Sequence, residues 1–188
     1  MERVRAHTRS SVTMSLLFAI LPLVAACGPG GSQAAASYPP VNGIPCETSE
    51  RVVFHIHAHL AIYANGQPQM VPYGIGIGKP WQVQQTTEGP FVSAGSCFYW
   101  LHTHTQDGII HIESAQPRTF TLADFFAIWG EPLSSSQVGA AQGPVVAYVN
   151  GERVSGDPGD IPLEAHALIQ LDVADSAPPQ PFTFPAGL

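Results

Sequence analysis

Alternating apolar and polar residues mark several short stretches of the chain as β-strands. In FHIHAHLAIYANG (54–66) every second residue is apolar, and an Asn-Gly pair typical of a two-residue hairpin turn follows. The same alternation predicts a second hairpin in CFYWLHTHTQDGIIHIES (97–114) and a third around Asn150-Gly151. LEAHALIQLDV (163–173) supplies a last strand. Hairpins therefore dominate the predicted fold.

A single helix is predicted over 118–130, RTFTLADFFAIWG. Thr121 and Asp124 have the spacing of a capping arrangement at its start, and Gly130 stands where a helix commonly ends. Eighteen glycines and eighteen prolines, spread along the chain, argue against other long helices. The predicted fold is α+β: mainly antiparallel β, a small barrel or sandwich built of hairpins, with one packed helix.

The first residues have the order of a secretory signal. Three arginines precede an apolar run of about 15 residues, which is short for a membrane span of about 20. The run ends in small residues before Cys27, and LVAAC (23–27) resembles the lipobox of bacterial lipoproteins, with Val24 in place of the usual leucine. The resemblance implies that residues 1–26 are removed and that Cys27 carries a lipid. An ordinary signal peptide or an uncleaved anchor is the alternative.

The remaining chain divides by composition. Residues 27–45 are rich in Gly, Ala and Pro and uncharged as far as Pro45, which predicts a flexible tether. Residues 46–175 form one His-rich β domain of ordinary size, and 176–188 form a Pro-rich tail expected to wrap the outside. The chain is thus expected outside the cytoplasm, at the cell surface or in the periplasm, and to meet the membrane only through its lipid.

Charge excludes nucleic acid as a partner. After residue 26 the chain keeps four basic residues against thirteen acidic ones, and 4 − 13 gives a net charge of −9 with neutral histidines. Such a surface repels phosphate and offers no basic patch to anionic lipid, whereas it attracts cations. No feature of the sequence identifies a protein partner.

Two cysteines remain once Cys27 is assigned to lipid. Outside the cytoplasm Cys46 and Cys97 are most simply a disulfide, which would join the starts of the two His-bearing strands. By the chain-entropy estimate a loop of about 50 residues would contribute about 4 kcal/mol to stability. Metal-ligating thiolates are the alternative.

Histidines occupy one face of the first predicted strand. Since successive side chains in a strand point to opposite faces, its apolar residues share the core face. The opposite face carries His55, His57 and His59. The outer two are about 13 Å apart along the strand, so the three cannot all bind one ion.

The second hairpin predicts a compact patch. If Asp107-Gly108 is a two-residue turn, or residues 106–109 form a four-residue turn, His104 pairs with His111, and His102 pairs with Glu113. A three-residue bulged turn would instead move His111 off this face. Two histidines at i and i+2 and a third across the ladder can place three nitrogens about 2.1 Å from one ion. Glu113 would then be a ligand, a general base or a partner that orients a histidine. His57 and a neighbour could complete this site or form a second one beside it.

Two resemblances accompany this pattern. HxH on one strand with a histidine on the next resembles the zinc site of α-type carbonic anhydrases, in local geometry alone. HxHxHL, CxYWLHTHxxxGIIHIES and FTLxDFFxIWG together resemble a group of secreted prokaryotic proteins to which no activity is assigned, over most of 46–175. That group often has Asp at the position of Thr105, so no carboxylate role is carried over there.

The sequence leaves three functions open. The leading one is a lipid-anchored protein that binds Zn(II) or Cu(II) for capture, buffering or delivery, since a His-rich site without a methionine cluster suits these ions better than Cu(I). The second is a zinc-type hydrolase or hydratase with three histidines and Glu113 as base. An iron or copper oxidative enzyme is a variant of it. The third is a metal-free module whose histidines titrate near pH 6.5.

Overall fold

The computed structural model describes residues 37–188. The predicted signal, the predicted lipidation site Cys27 and most of the predicted tether therefore lie outside the described residues. The described end of the tether belongs to the folded part, because Ile44 is fully buried and Tyr38 packs against the core. The Tyr38 hydroxyl also accepts a hydrogen bond from the Lys79 amide at 2.7 Å. The folded domain thus starts several residues before Cys46.

Short strands make up most of the described chain. One α-helix, α1 (Leu122–Trp129), and one 3-10 turn, Pro158–Asp160, accompany them. The strands of residues 37–188 are β1 Cys46–Glu47, β2 Phe54–Ala64, β3 Gln67–Gln69, β4 Gln82–Thr86, β5 Gly89–Ala94, β6 Phe98–Tyr99, β7 Leu101–His102, β8 Ile109–Ser114, β9 Leu133–Ser134, β10 Gln137–Val138, β11 Ala141–Gln142, β12 Val145–Val149, β13 Glu152–Val154 and β14 Leu168–Val173.

The largest sheet has the order β13-β12-β14-β2-β8-β7, and β3 also pairs with β2. All its pairs are antiparallel except β14 with β2, which runs parallel with Leu168 opposite His59. Smaller antiparallel sheets are β1-β6, β4-β5 and β11-β10-β9. The predicted mainly antiparallel β fold with one helix is confirmed. Within the described residues its sheets are open, as in a sandwich, and none closes into a barrel.

The helix begins and ends where its sequence predicts. Thr121 caps it in a full capping box with Asp124: the Thr121 hydroxyl accepts from the Asp124 amide, and the Asp124 carboxylate accepts from the Thr121 amide. Gly130 ends it in the left-handed conformation, with φ of 79°. Leu122, Phe125 and Phe126 are buried, and each contributes about 1.5–3 kcal/mol by its removal from water.

The two faces of the large sheet have different surroundings. The apolar face, with Leu60, Ile112 and Leu171 among its fully buried residues, packs in one core with the aromatic residues of α1. The opposite face carries the histidines of β2, and farther along it carries Gln170 and Asp172 of β14. The strand alternation that buries the core thus sends the imidazoles to the other side.

The C-terminal tail lies along the second face. The Asp172 carboxylate accepts a hydrogen bond from the Ala177 amide at 2.7 Å, and the Gln170 side-chain oxygen accepts one from the Gln180 amide at 2.9 Å. Farther on, Phe182 stacks against the His59 ring with centroids 3.6 Å apart. The tail thus covers the β14 end of the face and leaves the β7 end to the other histidines.

A disulfide joins Cys46 and Cys97, as predicted, across 51 residues. Cys46 lies on β1 and Cys97 precedes β6, and these two short strands pair with Cys46 opposite Tyr99. The bridge therefore ties together the chain segments that lead into the two His-bearing regions.

The predicted register of the second hairpin is wrong by two residues. His102, and not His104, lies opposite His111, and Leu101 lies opposite Ile112. Six residues, 103–108, connect β7 to β8 in place of a two-residue turn. A shift of two residues preserves the face on which each side chain lies, so the histidines still converge.

Candidate metal centre

Three adjacent strands bring the histidines together. β8 lies between β2 and β7, and its His111 is opposite His57 on one side and opposite His102 on the other. In the next row His55 lies opposite Glu113. Because paired residues of neighbouring strands lie about 5 Å apart, these side chains form one continuous patch.

The first imidazole triad consists of His55, His57 and His111. The His55 Nε2 and His57 Nε2 atoms are 3.0 Å apart, and His57 Nε2 is 3.2 Å from His111 Nδ1. A carboxylate joins them, since Glu113 Oε1 is 3.1 Å from His55 Nε2 and 3.5 Å from His111 Nδ1. Three nitrogens and one oxygen thus converge at the β2 side of the patch.

The second triad consists of His102, His104 and His111, whose ligating atoms lie within 4.8 Å of one another. The Nδ1–H groups of His102 and His104 donate to backbone carbonyls, at 2.9 Å to Tyr99 and 2.6 Å to Val92. Carbonyl oxygens only accept, so each ring in its neutral form presents its Nε2 lone pair to the site. The two Nε2 atoms are 3.1 Å apart. Backbone acceptors orient metal-binding histidines in the same way in known metal sites.

A close backbone contact holds the second triad in place. Residues Gly74 and Ile75 hydrogen-bond to the backbone of Thr103, and the Thr103 hydroxyl donates to the Pro72 carbonyl at 2.8 Å. At Gly76, with φ of 71°, an added Cβ would lie 2.3 Å from the Leu101 carbonyl oxygen and 3.0 Å from the His102 Cβ. Glycine is required there because the loop passes directly against the histidine strand.

Glu113 is the most confined acid of the site. The residue is 3% exposed, and its Oε2 atom is buried with no hydrogen-bond partner among the described residues. Burial, and after it the nearby Glu50 carboxylate, raises the pKa of Glu113. A buried carboxylate oxygen without a partner is destabilising in a native protein, and a bound cation would satisfy it.

Glu50 joins the site from the loop between β1 and β2. Its Oε1 atom is 3.4 Å from His104 Nε2 and 3.9 Å from His102 Nε2. The hydrogen bond with His104 lowers the pKa of Glu50, against the effect of partial burial. Burial opposes protonation of His104, but its contacts with Glu50 and the Val92 carbonyl outweigh burial and raise its pKa.

The other buried imidazoles are neutral near pH 7. Burial lowers the pKa of His57 to about 4 and those of His102 and His111 to about 3, and neighbouring imidazoles add to each shift. Neutral imidazole is the form that binds metal. No proton has to leave these three rings before an ion binds.

The donor spacing fits a transition-metal ion. Zinc–nitrogen bonds of about 2.0–2.1 Å in a tetrahedral site place neighbouring nitrogens about 3.3–3.4 Å apart. The observed separations between imidazole nitrogens, 3.0, 3.1 and 3.2 Å, are close to that distance. The cluster therefore has the donor type and the spacing to hold a divalent ion.

Of the six histidines predicted as ligands, the structure brings five into the cluster. His59 is separate, because its Nε2–H donates to the Asp107 carbonyl at 3.0 Å and its ring stacks on Phe182. His166 also lies elsewhere, with its Nε2–H donating to the Leu188 carbonyl at 3.1 Å. Sequence reasoning missed Glu50, which has no strand periodicity to mark it. Its only signal is an acid placed shortly before the HxHxH run.

An open pocket of about 400 Å³ adjoins the cluster. Five of its lining residues belong to the cluster, and Phe91 and Thr105 contribute to the remaining wall. The cluster members that line it are Glu50, His55, His104, His111 and Glu113. A small molecule from solution can therefore reach the donor atoms.

No protein-family model, no curated protein and no solved structure matches the chain. In residues 37–188 no helix has the length and apolarity needed to cross a membrane. The geometry of the His/Glu cluster therefore carries the functional conclusion.

Proposed function

We propose that this chain is an extracytoplasmic metal-binding protein, anchored by a lipid on Cys27, that binds Zn(II) or Cu(II) for capture, buffering or delivery. One observation carries the proposal: five imidazoles from three adjacent strands and the segment after β7 present nitrogens 3.0–3.2 Å apart beside two carboxylates. Their spacing and mostly neutral state are what a divalent ion requires.

The donor atoms of the cluster favour Zn(II) and Cu(II) over Cu(I). Nitrogen and carboxylate oxygen suit Zn(II) and Cu(II), whereas Cu(I) prefers sulfur. Cys46 and Cys97 are bound to each other, and Met70 is largely exposed and belongs to none of the candidate ligand groups. Sulfur ligation thus has no support among the described residues.

The compartment and the anchor are supported by other features of the chain. A disulfide is typical of an oxidising environment outside the cytoplasm. The lipid on Cys27 is supported by the sequence alone, through the charge order of residues 1–26 and the lipobox-like LVAAC. Membrane attachment by that lipid would keep the cluster at the surface where ions arrive.

A metalloenzyme is the second candidate, and the pocket of about 400 Å³ beside the cluster favours it. A zinc hydrolase or hydratase needs such access for a substrate. Glu113, the expected base, lies 3.1 Å from His55 Nε2, among the candidate ligands themselves.

The low pKa values of His57, His102 and His111 weigh against the third candidate, a metal-free switch near pH 6.5.

Metal analysis tests the proposal. The chain is purified without chelator and without a nickel affinity step, and its metal content is measured by mass spectrometry. We expect at least one Zn or Cu per chain, retained through gel filtration. The variant His104→Ala/His111→Ala should lose it, because it removes ligands from both triads.

A matched control separates ligand loss from general damage. His166→Asn removes a histidine outside the cluster, and Asn tolerates the positive φ of 59° found there. This variant should keep the metal content of the unmodified chain. A metal-free unmodified chain that also fails to take up Zn(II) or Cu(II) on addition would contradict the proposal.

A further inference from the structure

The cluster offers more donors than one ion uses. Five imidazoles and two carboxylates converge, whereas a tetrahedral zinc site takes four ligands. The geometry points to two divalent ions bound side by side, bridged by the Glu113 carboxylate. This inference rests on the proposed metal-binding function and extends it to the number of ions.

Strand order separates the two sets of donors. His55 and His57 come from β2, and His102 and His104 come from β7 and the segment after it, with β8 between them. Neighbouring strands are about 4.8 Å apart, so the backbones of the outer sets are about 10 Å apart. The ligating atoms of His55 and His57 fall within 4.8 Å of each other and of His111, and so do those of His102 and His104. No such group among the described residues combines members of the two outer sets, which fits two centres better than one.

Each outer set has its own complement of donors. The first ion would be held by His55, His57 and Nδ1 of His111, whose consecutive separations are 3.0 and 3.2 Å. The second would be held by His102 and His104, whose Nε2 atoms are 3.1 Å apart, with Glu50 Oε1 at 3.9 and 3.4 Å from them. Each set thus supplies three protein ligands, and the bridging carboxylate would be the fourth ligand of each ion.

Glu113 reaches both sets. Its Oε1 atom is 3.1 Å from His55 Nε2 in the first set. The same carboxylate lies within 4.8 Å of the ligating atoms of Glu50 and His102 in the second set. Its Oε2 atom is buried and has no hydrogen-bond partner among the described residues. A carboxylate with one oxygen at each of two cations would leave neither oxygen unsatisfied.

Access from solvent agrees with two ions. With neutral imidazoles the two carboxylates give the cluster a charge of −2, so two divalent ions leave a charge of +2 for anions from solvent to balance. The pocket beside the cluster borders members of both sets, His55 and His104, so water or a small anion can complete both coordination spheres. Bridged pairs of this kind hold their ions about 3.5–4 Å apart.

Stoichiometry of metal binding tests the inference. The full chain is stripped with a chelator, freed of it, and titrated with Zn(II) alone, with calorimetry and metal analysis after gel filtration as readouts. We expect two equivalents per chain. His55→Ala/His57→Ala should retain one equivalent, held by the second set, and Glu50→Gln/His104→Ala should retain one, held by the first. Circular dichroism checks that both variants fold.

Glu113→Gln tests the bridge alone. The amide has the shape of the carboxylate, but it has no negative charge and only one oxygen that can bind a cation. We expect this variant to bind the second equivalent at least tenfold more weakly than the first. With Cu(II), two equivalents in the unmodified chain should give an electron paramagnetic resonance signal smaller than the copper content, through coupling of the two ions.

The outcomes separate the two proposals. One equivalent in the unmodified chain, abolished by either double variant, would overturn the two-ion centre and leave the metal-binding function standing. If two equivalents of Cu(II) bind and the electron paramagnetic resonance signal accounts for all the copper, the two ions are not coupled. That result would overturn the Glu113 bridge. Failure to bind any equivalent would contradict the proposed function itself.

Discussion

Two histidines on one strand show what decides whether an imidazole joins the site. His57 and His59 are of the same type, share a face of β2 and are two residues apart. Yet His57 Nε2 lies 3.0–3.2 Å from two other imidazoles, whereas His59 Nε2 donates to a backbone carbonyl and its ring stacks on Phe182. Strand alternation gives the face of a side chain, and its neighbours in space give its role.

This pair supplies a matched test at the residue scale. His57→Ala should weaken Zn(II) binding by at least about 100-fold, because loss of even an outer-shell partner of a metal site costs 10–100-fold. His59→Ala should change the affinity by less than about threefold. Calorimetric titration of the two variants and the unmodified chain compares them directly. Equal losses in both would contradict the placement of His59 outside the cluster.

At the scale of elements, local signals predicted turns and caps well. Asn65-Gly66 and Asn150-Gly151 form the expected two-residue turns, with all four residues at positive φ. The helix ends at its predicted glycine. Each of these features depends on residues within about five positions of one another, which a single sequence displays.

Asp107-Gly108 shows where local signals were insufficient. Only Gly108 has positive φ, and the Asp107 carboxylate accepts from the Ile109 amide at 3.0 Å, so the pair ends a longer loop. Thr103 and His104 leave the ladder because they bond to Ile75 and Val92, which are 28 and 12 residues away. The parallel pairing of β14 with β2 depends on even more distant residues. The sequence alone does not display these contacts.

Candidate ligands were predictable to the extent that strand periodicity identified them. Five of six predicted histidines and Glu113 lie in the cluster, since the error in register was even and kept every side chain on its face. Glu50 was missed because it reaches the site from a loop. His59 lies outside the cluster and stacks on a residue of the tail more than 120 positions later, a contact that the sequence does not display.

At the scale of the whole molecule, the buried imidazoles make the stability of the folded protein depend on pH. His57, His102 and His111 have folded-state pKa values of about 3 to 4, below the value of about 6.5 in an unfolded chain. As pH falls below 6.5 the unfolded chain gains protons that the folded one does not, so stability falls until about pH 3. Each such histidine contributes up to about 1.4 kcal/mol per pH unit.

Urea denaturation of the metal-free protein measures this dependence. The midpoint should fall steadily from pH 6.5 to 4.5, a window above the main titration of ordinary carboxylates. The raised pKa values of His104 and Glu113 act in the opposite direction but do not cancel three depressed imidazoles. The variant His102→Gln/His111→Gln should show a shallower dependence. A midpoint constant over this window would show that these rings are not buried as neutral groups.

The central claim is that imidazoles from β2, β7 and β8 bind a divalent ion directly. X-ray absorption of the Zn(II)-loaded chain tests it most directly, because it reports the atoms that surround the metal. We predict nitrogen and oxygen neighbours at about 2.0–2.1 Å, with the outer-shell scattering of several imidazoles. A shell of water oxygens without imidazole scattering, or sulfur at about 2.3 Å, would contradict the account.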